Sequence, residues 1–229
     1  MLSVCVLNYN GKGIIEKAVE SVLNQKFKPQ EILVIDNAST DDSWKLVEKY
    51  VTRVVHADNK FKFITGLNTA FEEASEPVVT FMENDIILYP DCLLDMYLSG
   101  VDIVSPKFFD QNGKKYKVEW YSGFLSACFT MNKSTFEAVG KFDEALAPAY
   151  WEDVDYSIRA NRMGFKCKKD VGSAIHHANW SFSKVFTKKQ MSSWCKRNAW
   201  YIAQKHFLNR AALSGCISRT FSRNKTKED

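Results

Sequence analysis

The feature that most constrains the fold of this chain is an alternation running through its first third: short apolar, β-branched runs, each followed by a segment with helical spacing. "LSVCVL" reads as a buried strand, and "GIIEKAVESVLNQ" sets Ile14, Ala18, Ser21, Val22 and Gln25 near one helical face. "EILVID" is a second buried strand. It leads into "NASTDDSWKLVEKY", where Ser39 or Thr40 can cap a helix with Asp41 and Asp42 in its first turn. "RVVHA", "TGLNTAFEEAS" and "PVVTFM" continue as strand, helix and strand. Repeated βα units predict an α/β fold, a mostly parallel central sheet flanked by helices. With 229 residues, 45% of them hydrophobic, the chain can bury one sizeable core.

After Pro90 the rhythm changes. "DCLLDMYLS" reads as a helix, "VDIVSPKFF" as a strand, and Asn112-Gly113 as a turn. "FLSACFTMN" is a buried strand and "KSTFEAVG" a short helix closed by Gly140. "PAYWEDVDYSIRANRMG", with Val154 and Ile158 four apart and Gly164 in the stop position, reads as a helix of about three turns. A basic, aromatic helix runs from Thr187 to about Leu208, followed by a polar basic tail, 209–229.

Several function classes recede on composition. A net charge of +4 with 25% charged residues suggests a mild preference for anionic ligands and does not favour nucleic acid. The six cysteines are scattered, without a CxxC pair or zinc spacing, as expected of reduced thiols in a cytoplasmic protein. No apolar run approaches the roughly 20 residues that span a bilayer, although the basic aromatic C-terminal segment could contact a membrane surface. "NGKG" after the first strand lacks the third glycine of a dinucleotide-binding fingerprint.

In open α/β sheets ligands gather at the carboxyl ends of the strands. Here those ends carry "NYN" (8–10), "DNAST" (36–40) and "ENDI" (83–86), each polar and each directly after an apolar run. Glu83 and Asp85 lie two apart, so on an extended backbone both carboxylates face the same way and can approach one hard cation, Mg²⁺ or Mn²⁺. Adjacent His176 and His177 follow "GSAI"; they diverge, so at most one can join a given site. "WEDVDY" places Glu152, Asp153 and Asp155 at a helix start, and Asp155 is four before Arg159, the spacing of an ordinary surface ion pair.

In this order the motifs resemble a family 2 glycosyltransferase of the GT-A fold along nearly the whole chain. "VCVLNYNGKGIIEKAVESVLNQ" is similar to the family's opening strand and helix, and "ILVIDNASTDDS" to its nucleotide-pocket signature. "DNKFKFITGLNTAFEEA" resembles the segment usually written N-x-G-F-x-x-G-N-N, "ENDI" stands in the place of the DxD motif, and "GFLSACFTMNKSTFEAVGKFDEALAPAYWEDVDYSIR" ends in the family's ED motif. "DNAST" and "KRNAWYIAQKHF" look most like the rhamnosyltransferase-related branch. Two positions depart from the pattern: Glu83 replaces the first Asp of DxD, and Phe61 and Lys62 replace small or flexible residues.

The resemblance implies metal-dependent transfer of a sugar, with inversion, from a nucleotide-diphosphate donor (a UDP- or dTDP-sugar) to an acceptor hydroxyl on a glycan, lipid-linked or other molecule. It implies a glycosyltransferase domain over 1–208, with a donor half at about 1–90, an acceptor half at about 91–185 and a C-terminal helix. Asp36 would accept from the nucleobase, with Asn8 and Asn10 lining the same pocket, Asn68 near the sugar or phosphates, and Asn84 at the ribose or backbone. Glu83, Asp85 and His177 would surround the cation, since His177 lies at the family's offset of 24 residues from Asp153. Asp153 would be the general base, Glu152 would orient the acceptor or tie down its loop, and Tyr150 and Trp151 would form a sugar-stacking wall. Two rival readings are a nucleotide-sugar-binding protein with little catalysis and a glycosyltransferase acting on modified bases in DNA.

Overall fold

The computed structural model describes residues 1–57, 63–115, 123–176 and 186–206. Its central sheet has seven strands in the order β3-β2-β1-β4-β8-β6-β9: β1 Leu2–Asn8, β2 Glu31–Asp36, β3 Arg53–His56, β4 Val78–Glu83, β6 Ile103–Val104, β8 Cys128–Asn132 and β9 Cys167–Lys168. β3, β2, β1 and β4 pair in parallel; β8 runs antiparallel to both β4 and β6, and β9 is parallel to β6. The order 3-2-1-4 is that of a doubly wound βα sheet. A second sheet joins β5 Ile86–Leu88, β10 Ser173–His176 and β7 Lys107–Phe109 in the order β5-β10-β7.

Helices cover both faces. β1 and β2 are buried along their whole length, as strands sandwiched between helix layers must be. α1, Ile15–Leu23, buries Ile15, Ala18, Val19, Ser21 and Val22, and packs with Val4, Val6 and Val34 on one side. α2, Phe63–Glu73, closes the other with Phe63, Ile64, Leu67 and Phe71. The remaining helices are α3 Cys92–Tyr97, α4 Lys133–Val139, α5 Glu152–Arg162 and α6 Lys188–His206. An aromatic cluster locks α5 onto the sheet: Phe142 stacks on Tyr156 with ring centroids 4.0 Å apart, and Phe124 meets Tyr156 edge-on at 6.2 Å. Such offset and edge contacts add to the area they bury.

Three local expectations change. The helix expected within 37–50 is two 3₁₀ turns, Ser43–Leu46 and Glu48–Tyr50. Its would-be caps are spent on tying this loop to the one after β1: Ser39 Oγ accepts from Asn10 N at 3.0 Å, Asp41 from Lys12 N at 3.0 Å and Ser43 Oγ from Gly11 N at 3.1 Å. "VDIVSPKFF" divides around Pro106 into β6 and β7, which belong to different sheets; proline has no N–H to continue a ladder. Asp155 is fully buried, so its pair with Arg159 is not a surface pair. The tail 209–229 lies outside the described residues.

Candidate active site

Parallel register brings the three polar loops to one sheet edge. Asn8 ends β1 opposite Asp36 at the end of β2, and Leu7 lies opposite Glu83 at the end of β4. Asn8 is wholly buried and acts as the hub of this edge. Its amide nitrogen donates to Asp36 Oδ1 at 3.0 Å, Ser43 Oγ at 2.9 Å and Ser39 Oγ at 3.2 Å, and its oxygen accepts from Asn84 Nδ2 at 2.9 Å. Asp36 Oδ2 accepts from Ser39 N at 3.2 Å. A carboxylate has about four acceptor positions, so Asp36 keeps capacity for a further donor. Asn10, in the left-handed region at φ 47°, accepts from Thr40 N at 2.8 Å. Gly11 passes so close to the Asn8 and Asn84 amides that any Cβ there would collide with both.

Asn68 is not gathered with these residues. Its amide donates to Phe142 O at 3.0 Å and Glu144 Oε1 at 3.2 Å, and its oxygen accepts from Phe142 N at 2.9 Å, which commits both ends to the 142–144 loop.

β4 and β5 turn over Asn84-Asp85, and β10 pairs antiparallel with β5 so that His176 faces Ile86. That register carries the imidazole to the acids: His176 Nε2 lies 3.6 Å from Asp85 Oδ1, and one ligand atom each from Glu83, Asp85 and His176 falls within 4.8 Å of the others. Two carboxylate oxygens suit a hard divalent cation, and the imidazole nitrogen beside them favours Mn²⁺ over Mg²⁺. Burial, with the negative charges of Asp85 and Glu152, pushes the Glu83 carboxyl well above the usual range. A cation would relieve that repulsion, so the residues fit a divalent metal. His177 lies outside the described residues.

Glu152, whose charge reaches Glu83, opens α5, and Asp153 follows it in the first turn. Glu152 is buried; Ser126 Oγ donates to its Oε1 at 2.6 Å, and Oε2 has no partner among the described residues. Burial raises its carboxyl despite the Ser126 bond. Asp153 is half-buried and accepts from Val154 N at 2.8 Å, in the first helical turn, where the macrodipole favours negative charge. Tyr150 and Trp151, both left-handed at φ 79° and 75°, form the approach to the helix. Tyr150 remains half-buried, whereas Trp151 is 4% exposed and donates its indole N–H to Cys195 Sγ at 3.2 Å, so it faces the core.

Asp155 joins α5 to α6. It accepts from Arg159 Nε, Lys205 Nζ and His206 Nε2, each at 2.8 Å, while Arg162 Nη1 lies 3.0 Å from His206 Nδ1. Burial alone would raise the Asp155 carboxyl; the Lys205 bond and the charge of Arg159 outweigh it and hold it low. Sequence reading missed Ser126 and the partners on α6. Ser126 is a single polar residue in an apolar run, and the α6 contacts span some fifty residues of chain.

A sequence model of the family described as "Glycosyl transferase family 2" matches residues 3–189. The chain is 33% identical over 88 residues to an Escherichia coli UDP-Glc:alpha-D-GlcNAc-diphosphoundecaprenol beta-1,3-glucosyltransferase, covering 37% of this chain and 35% of that protein. It is 32% identical over 94 residues to a Campylobacter jejuni GalNAc(5)-diNAcBac-PP-undecaprenol beta-1,3-glucosyltransferase, covering 37% of this chain and 29% of that one. These matches thus span about a third of the relatives' own length. Residues 1–349 of S. aureus TarS, solved with UDP-GlcNAc, superpose with a TM-score of 0.68 at 19% identity, covering 98% of this chain and 74% of that one, so the GT-A-like fold is shared. Among the described residues no helix is long and apolar enough to cross a membrane. From residue 3 to residue 189 the family pattern holds, and the chain belongs to glycosyl transferase family 2.

Proposed function

We propose that this chain transfers a sugar, with inversion, from a UDP- or dTDP-sugar to an acceptor hydroxyl. The observation that carries the reading is the convergence of the Asn8–Asp36 hub and the Glu83–Asp85–His176 cluster at one sheet edge, with the charge of Glu152 at the α5 start reaching Glu83. Asp36 accepts from the nucleobase, with Asn8 and Asn10 shaping the floor and Asn84 linking that floor to the acids. Glu83, Asp85 and His176 would hold a divalent cation, which when bound would supply charge neutralisation for the leaving diphosphate. His177 keeps the sequence offset as its argument and His176 has proximity. Parallel alanine variants rank them: His176→Ala should weaken Mn²⁺-dependent donor binding and His177→Ala should spare it, and the reverse order assigns the imidazole to His177.

Asp153 takes the acceptor proton as the hydroxyl oxygen attacks the anomeric carbon from the face opposite the diphosphate. Glu152, anchored by Ser126, presents Oε2 to the acceptor side, and Tyr150 offers the sugar a ring. The relatives' names point to a lipid-linked acceptor, and the exposed Lys188, Lys189, Lys196 and Arg197 on α6 suit a peripheral position on anionic lipid at the cytoplasmic face. The rhamnosyl-like motifs favour a dTDP-sugar and the relatives' names UDP-glucose, so a panel of both should decide. A thermal-shift screen with Mn²⁺ should give one stabilising sugar nucleotide whose effect disappears in EDTA. No shift with any of them would contradict the reading.

A further inference from the structure

α6 does more than cover the fold. Asn198 is wholly buried, and its amide nitrogen faces three carbonyls of the segment leading to α5: Leu146 O at 2.7 Å, Tyr150 O at 2.9 Å and Ala149 O at 3.0 Å. An amide has two hydrogens, so they are shared among three acceptors in one fork. The fork is itself aimed, because Arg197 Nε donates to Asn198 Oδ1 at 2.8 Å while Arg197 Nη2 donates to Ala147 O. One turn earlier, Cys195 Sγ receives the Trp151 indole N–H.

The gripped segment needs such a hold. Tyr150 and Trp151 are consecutive non-glycine residues in the left-handed region, which L-residues avoid and which persists only where surroundings dictate it. Its far end starts the helix: Trp151 O accepts from Asp155 N at 2.9 Å, closing the first turn of α5 around Glu152 and Asp153. A shift of the two left-handed peptides would therefore swing both acids.

We infer that Asn198, aimed by Arg197, is a positioning residue that fixes the Tyr150–Trp151 backbone and through it the direction of Glu152 and Asp153 toward the acceptor. The inference rests on the glycosyl-transfer reading of that site. It makes α6 a working part of the acceptor side and leaves the donor edge independent of it, since Asn8, Asp36 and Asn84 are held by one another and by the 39–43 loop.

Asn198→Asp replaces the N–H fork with oxygens facing three carbonyls at nearly constant volume. With UDP-glucose as donor and water as acceptor, kcat for UDP release should fall about 100-fold, the scale of a misaligned catalytic group, while the Kd for UDP-glucose stays within twofold. Amide exchange should rise in 147–155 and remain unchanged in 31–40. Ile202→Val, equally buried on α6, controls for loosening of the helix and should keep kcat within twofold. Should Asn198→Asp not fold, the exposed Arg197→Lys decides: it should lower kcat several-fold at unchanged donor Kd. Normal kcat and normal 147–155 exchange in the folded variants overturn the inference, as does an equal kcat loss in Ile202→Val. Wild-type protein that binds no sugar nucleotide and releases no UDP breaks the functional reading instead, and the exchange measurement then still decides whether Asn198 holds the loop.

Discussion

The two sides of the site are built differently. The proposed donor edge is assembled from strand ends that meet through parallel register, and its hydrogen bonds close among residues 8–12, 36–43 and 84. The proposed acceptor side is assembled from a left-handed loop, a helix start and a second helix that reaches them from some fifty residues further along the chain. Its local conformation is one the segment would not adopt alone. A sheet edge is positioned by the fold's own ladder, whereas an acid on a strained loop has to be held by something outside it. Donor capture should therefore survive perturbation of α5 and α6, and acceptor activation should not.

The largest effect that could break this division lies where the sides meet. Asp85→Ala should weaken Mn²⁺-dependent donor binding by more than about 100-fold, beyond the range seen when only a ligand's supporting partner is lost. Asn84→Ala, which removes the bond to Asn8, should cost less. Equal losses would make the triplet a structural turn, and donor affinity unchanged in excess EDTA would remove the cation from the account.

Gly11→Ala sharpens the donor half. The new Cβ would push apart Asn8 and Asn84, so nucleotide affinity should drop about tenfold, the worth of one charge-assisted hydrogen bond at the Asp36 hub. Turnover at saturating donor should stay near normal. A variant that binds normally but turns over slowly would contradict the division.

The sequence displayed the polar strand ends because their logic is local. A polar triplet after an apolar strand marks a strand end whatever the rest of the chain does, and βα alternation puts such ends on one edge. The acidic helix start was equally plain at "WEDVDY". Its supports were not: "KRNAWYIAQKH" reads as a basic amphipathic helix, and only tertiary packing turns Asn198 toward three carbonyls and sets Lys205 and His206 against Asp155. The i,i+4 spacing found the Asp155–Arg159 pair but placed it on the surface, because spacing carries no information about what covers it. Asn68 bonds to the 142–144 loop for a related reason that its position in the sequence does not display, since an asparagine on a buried helix can serve a neighbouring loop as readily as a ligand.

The smallest effect concerns pH. Asp155 is held below its ordinary value, so the stability it contributes is complete above the unfolded carboxylate value of about 3.9 and is lost as pH falls through the depressed folded value. Asp155→Asn should lower Tm by several degrees at pH 7, and the gap from the parent should close in acid. A gap that stays constant down to pH 2 would mean that the charge on Asp155 does not hold α6.

On the proposed reading, Asp153 activates the acceptor while the donor edge binds independently of it. Asp153→Asn preserves shape and removes the base, so it is measured for donor affinity by calorimetry and for turnover with saturating acceptor, beside Glu152→Gln. Donor Kd should stay within twofold of the parent, and turnover should fall by about 10²-fold or more. Near-normal turnover in Asp153→Asn, with Glu152→Gln inactive, would contradict this and move the base to Glu152.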